Sequence, residues 1–331
     1  MESNKQYGSF LEDAFQSYLN WRENMGCVDK HLKYVLYQLD RYLIKNKYQI
    51  EDISPELFID FRSTLDCEAN TINIKMGFLR MLFDYLNCID PTVENPLKYI
   101  PALSEKKFIP FIFSEDEIDK LLKILQNQIQ PTESAFLTNL SIYISIVLLS
   151  YCGMRISEPL RLKVKHYRNE ENTLYIEKTK FKKDRLIPVP KKAACELKNY
   201  LEVIKSFGRY SIDANLLVHQ KRDYLITNDI YLAYYKALPH IGIVQDKKIM
   251  RGKMSFGKPT PHSLRHSFAV NTLKRIKQER KSPQNALPIL AQYMGHQKYE
   301  NTAVYLKVLD ASHRNSMINF HISEFEDNIR P

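Results

Sequence analysis

Glycine is scarce in this chain, with 9 among 331 residues. That excludes a collagen-like or linker-rich polymer. The five cysteines, Cys27, Cys67, Cys88, Cys152 and Cys195, are odd in number, scattered, and form no C-x-x-C pair. Neither a disulfide framework nor a structural zinc is therefore expected, and a reducing compartment such as the bacterial cytoplasm fits. No apolar run is long. The most apolar stretch, Leu140 to Tyr151, is interrupted by Ser141, Ser145 and Ser150; it is too short to span a bilayer and reads as a buried helix, so no membrane partner is expected. The polar start Met1-Glu2-Ser3-Asn4-Lys5-Gln6 has no signal-peptide pattern. Acidic residues are in deficit: 38 Asp and Glu face 48 Lys and Arg, a formal charge of +10 with pI ≈ 9.1. This excess favours a polyanionic partner such as nucleic acid, through phosphate neutralisation and counterion release. Charge alone is equally compatible with a merely basic soluble protein.

What is present is apolar periodicity. Hydrophobic residues make up 44% of the chain, enough for about two cores at this length. Residues 8–100 read as four helices. Leu11, Ala14, Phe15, Tyr18 and Leu19 recur at helical spacing, and so do Leu32, Val35, Leu36, Leu39, Tyr42 and Leu43. Ser54-Pro55 reads as an N-cap followed by proline at the first helical position. Thr71 is the expected cap of a fourth helix, with Ile74, Phe78, Met81, Leu82 and Tyr85 on its apolar stripe. Pro91, Pro96, Pro101 and Pro110 then punctuate a basic stretch, the best linker candidate, near 101–111. Such a linker either follows a DNA backbone or simply connects domains. The expected division is a helical domain over 1–104, a linker over 105–111 and a second domain over 112–331. Ser114-Glu115-Asp116-Glu117 resembles a capping box. Residues 173–178 and 185–189 read as two short strands around a polar turn, with helices dominating thereafter.

Four clusters carry chemistry: Gly153-Met154-Arg155-Ile156-Ser157-Glu158; Lys180 in a Lys/Arg-rich segment; His262-Ser263-Leu264-Arg265; and Gly295-His296 with Tyr305 nine residues on. Cleavage of a phosphodiester by a protein nucleophile needs an attacking oxygen, charge stabilisation on two non-bridging oxygens, and a proton for the leaving oxygen. Arg155 and Arg265 suit the second task, because the planar guanidinium binds phosphate bidentately and keeps its charge. With Thr260-Pro261 as cap and first turn, His262 and Arg265 share a helical face. Lys180 in the presumed hairpin turn could protonate the leaving oxygen, and Glu158 could orient an arginine. Gly295 is expected to end its helix in the left-handed conformation, fixing His296 in a turn. Asn301 or Thr302 is expected to cap the next helix, placing Tyr305 in its first turn, where the helix dipole aids a phenolate. Each residue alone is weak evidence: there are 21 tyrosines, and a lone histidine more often packs or caps. The information lies in the order and spacing of all six.

That ordered set resembles the tyrosine recombinase (phage integrase) family, weakly over 8–100 and specifically over 150–308. Gly153 to Glu158 looks like the first arginine box, His262-Ser263-Leu264-Arg265-His266-Ser267-Phe268-Ala269 like the second, and Tyr293-Met294-Gly295-His296 with Thr302-Ala303-Val304-Tyr305 like the histidine and nucleophile box. Lys180, eight residues before Pro188, matches the hairpin lysine. The resemblance implies a mainly α fold with a small β-sheet: a helical core-binding (SAM-like) domain that binds double-stranded DNA, plus a mixed α/β catalytic domain with a C-terminal tail. It implies a site-specific recombinase in which Tyr305 attacks the scissile phosphate and forms a 3′-phosphotyrosine. Arg155 and Arg265 hold the phosphate, Lys180 protonates the leaving oxygen, His262 serves as general acid/base and His296 assists. No metal and no other cofactor is implied. A homo-tetramer exchanging strands through a Holliday junction is, with element- or host-encoded accessory proteins as further partners. The chain departs from the family pattern in three ways. Pro159 follows the first box and restricts Glu158. The charged stretch from Lys274 into 286 reads as an inserted or extended loop. No arm-binding domain is evident before residue 8. The first two features favour a mobile-element integrase or transposase, cytoplasmic and nucleoid-associated when bound to DNA; the third argues against an integrase that uses distant arm sites. Two alternatives are a type IB topoisomerase-like enzyme and a catalytically inactive DNA-binding accessory protein. The segment after Tyr305 reads as a helix through about Phe320 with an acidic end, expected to dock on a neighbouring protomer.

Overall fold

A computed structural model describes residues 7–27, 30–130, 135–177, 184–245, 249–251, 254–296 and 298–310. The described chain is mainly helical with two small sheets, the fold class expected from the sequence. It forms two compact units that divide between Lys107 and Phe108.

The first unit holds α1 (Glu12–Asn24), α2 (Lys30–Lys45), α3 (Pro55–Ser63) and α4 (Ala69–Ile89) around Phe15, Leu36, Leu39, Phe58, Phe61, Leu79 and Phe83. Ser54 caps α3, its hydroxyl accepting from Leu57 N at 3.4 Å, with Pro55 at the first helical position. The buried Asp40 carboxylate accepts from the backbone N–H groups of Gly8 and Ser9 at 3.1 and 2.9 Å, tying down the segment that leads into α1. Arg80 does the same for the exit, donating to Leu97 O and Ile100 O at 3.0 and 2.7 Å. The expectation for α4 needs correcting. It begins at Ala69 after Glu68, so Thr71 lies inside the helix. Its buried face is Ile72, Met76, Leu79, Leu82 and Phe83, while Ile74 and Met81 are exposed. This helix carries apolar residues on several faces, so periodicity could not choose among them; the packing of α1 and α2 against it does.

In the second unit, α5 (Glu115–Asn127) opens with the capping box between Ser114 and Glu117. The apolar stretch becomes α6 (Phe136–Tyr151), buried on nearly every face. Ser141 and Ser145 are tolerated there because the Ser141 hydroxyl meets Tyr200 Oη at 2.8 Å and Ser145 donates to Ile142 O at 2.6 Å. No described helix is long and apolar enough to cross a membrane. An antiparallel sheet follows, β2 (Tyr167–Arg168), β3 (Thr173–Ile176) and β4 (Arg185–Pro188), with Leu174 opposite Ile187 on its buried face. Then come α7 (Lys191–Ser206) and α8 (Thr227–Ala237).

Helices dominate the remainder as expected, interrupted by one small ribbon. β5 (Ile249–Arg251) and β6 (Met254–Phe256) form an antiparallel ribbon joined by β1 (Lys107–Ile109), in the order β1-β6-β5. Three-residue strands are too short to declare a period of two. The chain then forms α9 (Pro261–Gln278), α10 (Pro283–Met294) and α11 (Glu300–Asp310). The charged stretch from Lys274 is thus mostly helix rather than an inserted loop: α9 runs to Gln278, and only about one turn separates it from α10. Its lysines and arginine are good helix formers on an exposed face. Lys180 and the segment after Asp310, where the tail was expected, lie outside the described residues.

Candidate active site

The chain leaves α6 through Gly153, whose φ of +56° is open to glycine at little cost. A Cβ there would stand 2.3 Å from Phe268 Cδ1. The reversal brings Arg155 and Glu158 alongside the C-terminus of α10. Glu158 precedes Pro159, yet it adopts helical angles, φ −77° and ψ −50°, instead of the extended conformation that a following proline favours. Five contacts hold it there. Its carboxylate accepts from Arg155 N at 2.8 Å, Arg155 Nη1 at 3.0 Å, and Arg185 Nη1 and Nη2 at 3.1 and 2.9 Å. Its own N–H donates to Arg155 O at 2.8 Å. The side chain is 1% exposed. Burial raises the carboxyl pKa, but the Arg185 hydrogen bonds and charge, with Arg155 N–H and Arg265, outweigh it and hold it below its ordinary value.

α10 ends at Gly295, left-handed at φ +65°. A helix C-terminus leaves backbone carbonyls without intrahelical partners and carries partial negative charge. Three successive carbonyls meet three different guanidiniums. Tyr293 O accepts from Arg185 Nε at 2.9 Å, Met294 O from Arg265 Nη2 at 2.5 Å, and Gly295 O from Arg155 Nη2 at 2.8 Å. Arg265 also donates to Gly153 O at 2.6 Å and is 1% exposed. Burial and the nearby Arg155 lower its pKa. The three cations Arg155, Arg185 and Arg265 against the one carboxylate of Glu158 leave a net charge of +2 in this cluster, suited to a phosphodiester anion.

Thr260 and Ser263 form a capping box at the start of α9, with Pro261 at its first position. The helix presents His262, Arg265 and His266 toward α10 and α11. The rings of His262 and His266 meet edge to face at 4.6 Å. Solvent reaches the His262 ring, yet desolvation by its surroundings, then Arg265 and Arg155, push its pKa down. The His296 Nδ1 lies 2.7 Å from Thr302 Oγ1; burial, then Arg265, Arg155, His262 and Arg185, lower it to about 4. Because α11 begins at Glu300, Tyr305 falls in its second turn, and Thr302 meets His296 from inside the helix. Tyr305 is 2% exposed, its Oη 2.8 Å from His266 Nδ1. Burial pushes the phenol up to about 12 against the opposing pull of Arg265 and Arg155.

The fold therefore brings together Arg155, Glu158, His262, Arg265, His296 and Tyr305, from three segments that are distant in sequence. Two residues in the same cluster were not singled out from the sequence. Arg185 opens a strand and reads there as an ordinary charged edge residue. His266 stands beside Arg265 in the second box, but only the approach of α11 gives it a partner. Among the described residues, no group of histidine, cysteine or carboxylate side chains is arranged to hold a metal ion.

A sequence model of the Phage integrase family matches residues 112–312, more than half of the chain. A tyrosine recombinase of Pseudothermotoga lettingae is 28% identical over 275 residues, covering 81% of this chain and 83% of that protein. The Tn1549 transposon integrase, solved in complex with a circular intermediate DNA, superposes with a TM-score of 0.63 at 18% identity, over 88% of this chain and 94% of that one. The lambda integrase tetramer bound to a Holliday junction does so with a TM-score of 0.61 at 16% identity, over 89% and 76%. These two likenesses carry the fold. Together with the family match over the segment that bears the arginine, histidine and tyrosine cluster, they establish that the chain belongs to the phage integrase family of tyrosine recombinases, enzymes that cleave and rejoin DNA at specific sites.

Proposed function

We propose that this chain is a mobile-element recombinase of integrase or transposase type whose nucleophile is Tyr305. The observation that carries the reading is the convergence of Arg155, Arg265, His262, His296 and Tyr305 in one cluster around the C-terminus of α10, with an excess of two positive charges. In this reading Arg155 and Arg265 hold the non-bridging oxygens of the scissile phosphate, where fixed cations stabilise the charge that develops in the transition state. Tyr305 Oη attacks phosphorus and leaves a 3′-phosphotyrosine and a free 5′ hydroxyl. Lys180, between β3 and β4 in the sequence, protonates the leaving oxygen. His262 serves as general acid/base, His296 assists, and Glu158 orients Arg155 through its carboxylate.

The phosphotyrosine conserves the bond energy, so resealing needs neither metal nor ATP. Residues 1–104 are the helical DNA-binding domain, 105–111 the linker and 112–331 the catalytic domain. Four protomers exchange strands through a Holliday junction, as the assembly of the lambda integrase on such a junction illustrates. The transposon origin of the Tn1549 integrase supports a mobile-element role, exercised in the cytoplasm with accessory proteins of the element or host.

The test uses duplex DNA from the gene's own flanks, nicked near the crossover to trap the intermediate. Wild type is expected to form a protease-sensitive protein–DNA adduct without metal or ATP, and Tyr305→Phe none. An adduct with both would move the nucleophile to another tyrosine. Tight binding without an adduct from either would favour the accessory-protein reading.

A further inference from the structure

Among the described residues, the partner of the Tyr305 hydroxyl is His266: Oη and Nδ1 lie 2.8 Å apart, with ring centroids at 5.7 Å. His262, the histidine of the family's box, is one turn earlier on the same helix and meets His266 edge to face. The Nδ1 of His296 is engaged with Thr302. Resting on the reading of Tyr305 as nucleophile, we propose that His266 is a catalytic residue that accepts the Tyr305 proton through Nδ1 during attack on the phosphate and returns it during resealing.

The direction of the hydrogen bond follows from both partners. The phenol, raised to about 12, keeps its proton and donates. The imidazole, lowered to about 3 by burial and then by His262, Arg265 and His296, is neutral, so its Nδ1 lone pair accepts while Nε2 carries the hydrogen. The groups facing the His266 ring are His262 and Arg265 from α9, His296 from the turn after α10 and Tyr305 from α11. All but Tyr305 oppose a proton on it. The phenol alone does not surrender its proton to such a base. As the bond from Oη to phosphorus forms, however, the phenolic oxygen loses its basicity, and the proton passes downhill to a base already in contact. The bound phosphate adds a negative charge beside Arg155 and Arg265 and relieves their opposition. Atoms balance: the O–H bond of Tyr305 breaks, P–Oη forms, P–O5′ breaks, and O5′ leaves with a proton from the general acid. In resealing, His266 returns the proton to Oη as P–Oη breaks.

The test is single-turnover adduct formation on the nicked duplex that gives an adduct with wild type, from about pH 5 to about pH 9, with DNA affinity measured alongside. Variants are His266→Ala, His266→Gln and Tyr305→Phe. His266→Ala is expected to cleave about a hundredfold or more slowly at unchanged DNA affinity. The slowed reaction should gain rate with rising pH, as solvent hydroxide replaces the lost base, and partial recovery with added imidazole is expected. His266→Gln, which preserves a hydrogen-bond acceptor but not a base, is expected to stay slow. Cleavage by His266→Ala within twofold of wild type overturns the proposal, with Tyr305→Phe still inert and the nucleophile reading intact. Full recovery in His266→Gln overturns it too and makes His266 a positioning residue; this variant decides if the alanine one loses DNA binding. An adduct from Tyr305→Phe overturns the nucleophile reading and this proposal with it.

Discussion

At the scale of single residues, the site stores neutral imidazoles where the sequence offers only histidines. His266 is held at about 3 by burial first and then by His262 and Arg265, and His296 at about 4 by burial first and then by Arg265 and Arg155. An unfolded chain titrates histidine near 6.5. Below that pH the unfolded chain takes up protons that the folded one refuses, so the stability present above about 6.5 drains away as pH falls toward 4. Because both rings are only partly buried, the loss by about pH 5 is on the order of 2 kcal/mol. Thermal unfolding followed from about pH 7.5 down to about pH 4.5 checks this. A melting temperature that stays level to about pH 5 would mean these imidazoles titrate freely. Glycine is legible at this scale too: Gly153 and Gly295 mark both turns that hold arginines, one against Phe268 and the other against Arg185. Which guanidinium each turn would hold is not written in the glycines.

At the scale of elements, the C-terminus of α10 organises the site, because its orphan carbonyls gather arginines from a loop, a strand and a helix. Arg185 binds β4 to it through Tyr293 O and shares Glu158 with Arg155. Removing this arginine leaves a buried carboxylate with half its partners. Breaking a buried pair is costly, so Arg185→Met is expected to lose about 3 kcal/mol in urea unfolding and to form adduct more slowly. An unchanged unfolding midpoint would show that β4 needs no such tether. Elements with one strong signal were legible beforehand: α3 from Ser54-Pro55, α5 from its capping box, α6 from its apolar run, and the end of α10 from Gly295. Those with competing signals were not. The apolar residues of α4 surround it, β5 and β6 are three residues each, and the charges after Lys274 suited a loop as well as a helix.

At the scale of the whole molecule, the formal charge of +10 is a property of composition, and its consequence is salt dependence. If the excess neutralises about six or more phosphates, binding to a duplex should weaken by about a thousandfold or more between about 50 and about 200 mM salt. Fluorescence anisotropy with a labelled duplex measures the slope; affinity indifferent to salt would mean that the basic surface does not meet the backbone. The sequence by itself determined the family, through six residues in a fixed order that together supply a nucleophile, charge stabilisation and proton transfer for cleavage of a phosphodiester. It also determined most helices, since a buried face must repeat at the helical period. Only the tertiary structure decided which face of α4 is buried, that Glu158 is helical before Pro159, that Arg185 joins the two expected arginines, and that His266 meets Tyr305. Each of these depends on an element distant in sequence arriving at close range. Local propensity is silent about such arrivals, and packing and charge pairing settle them.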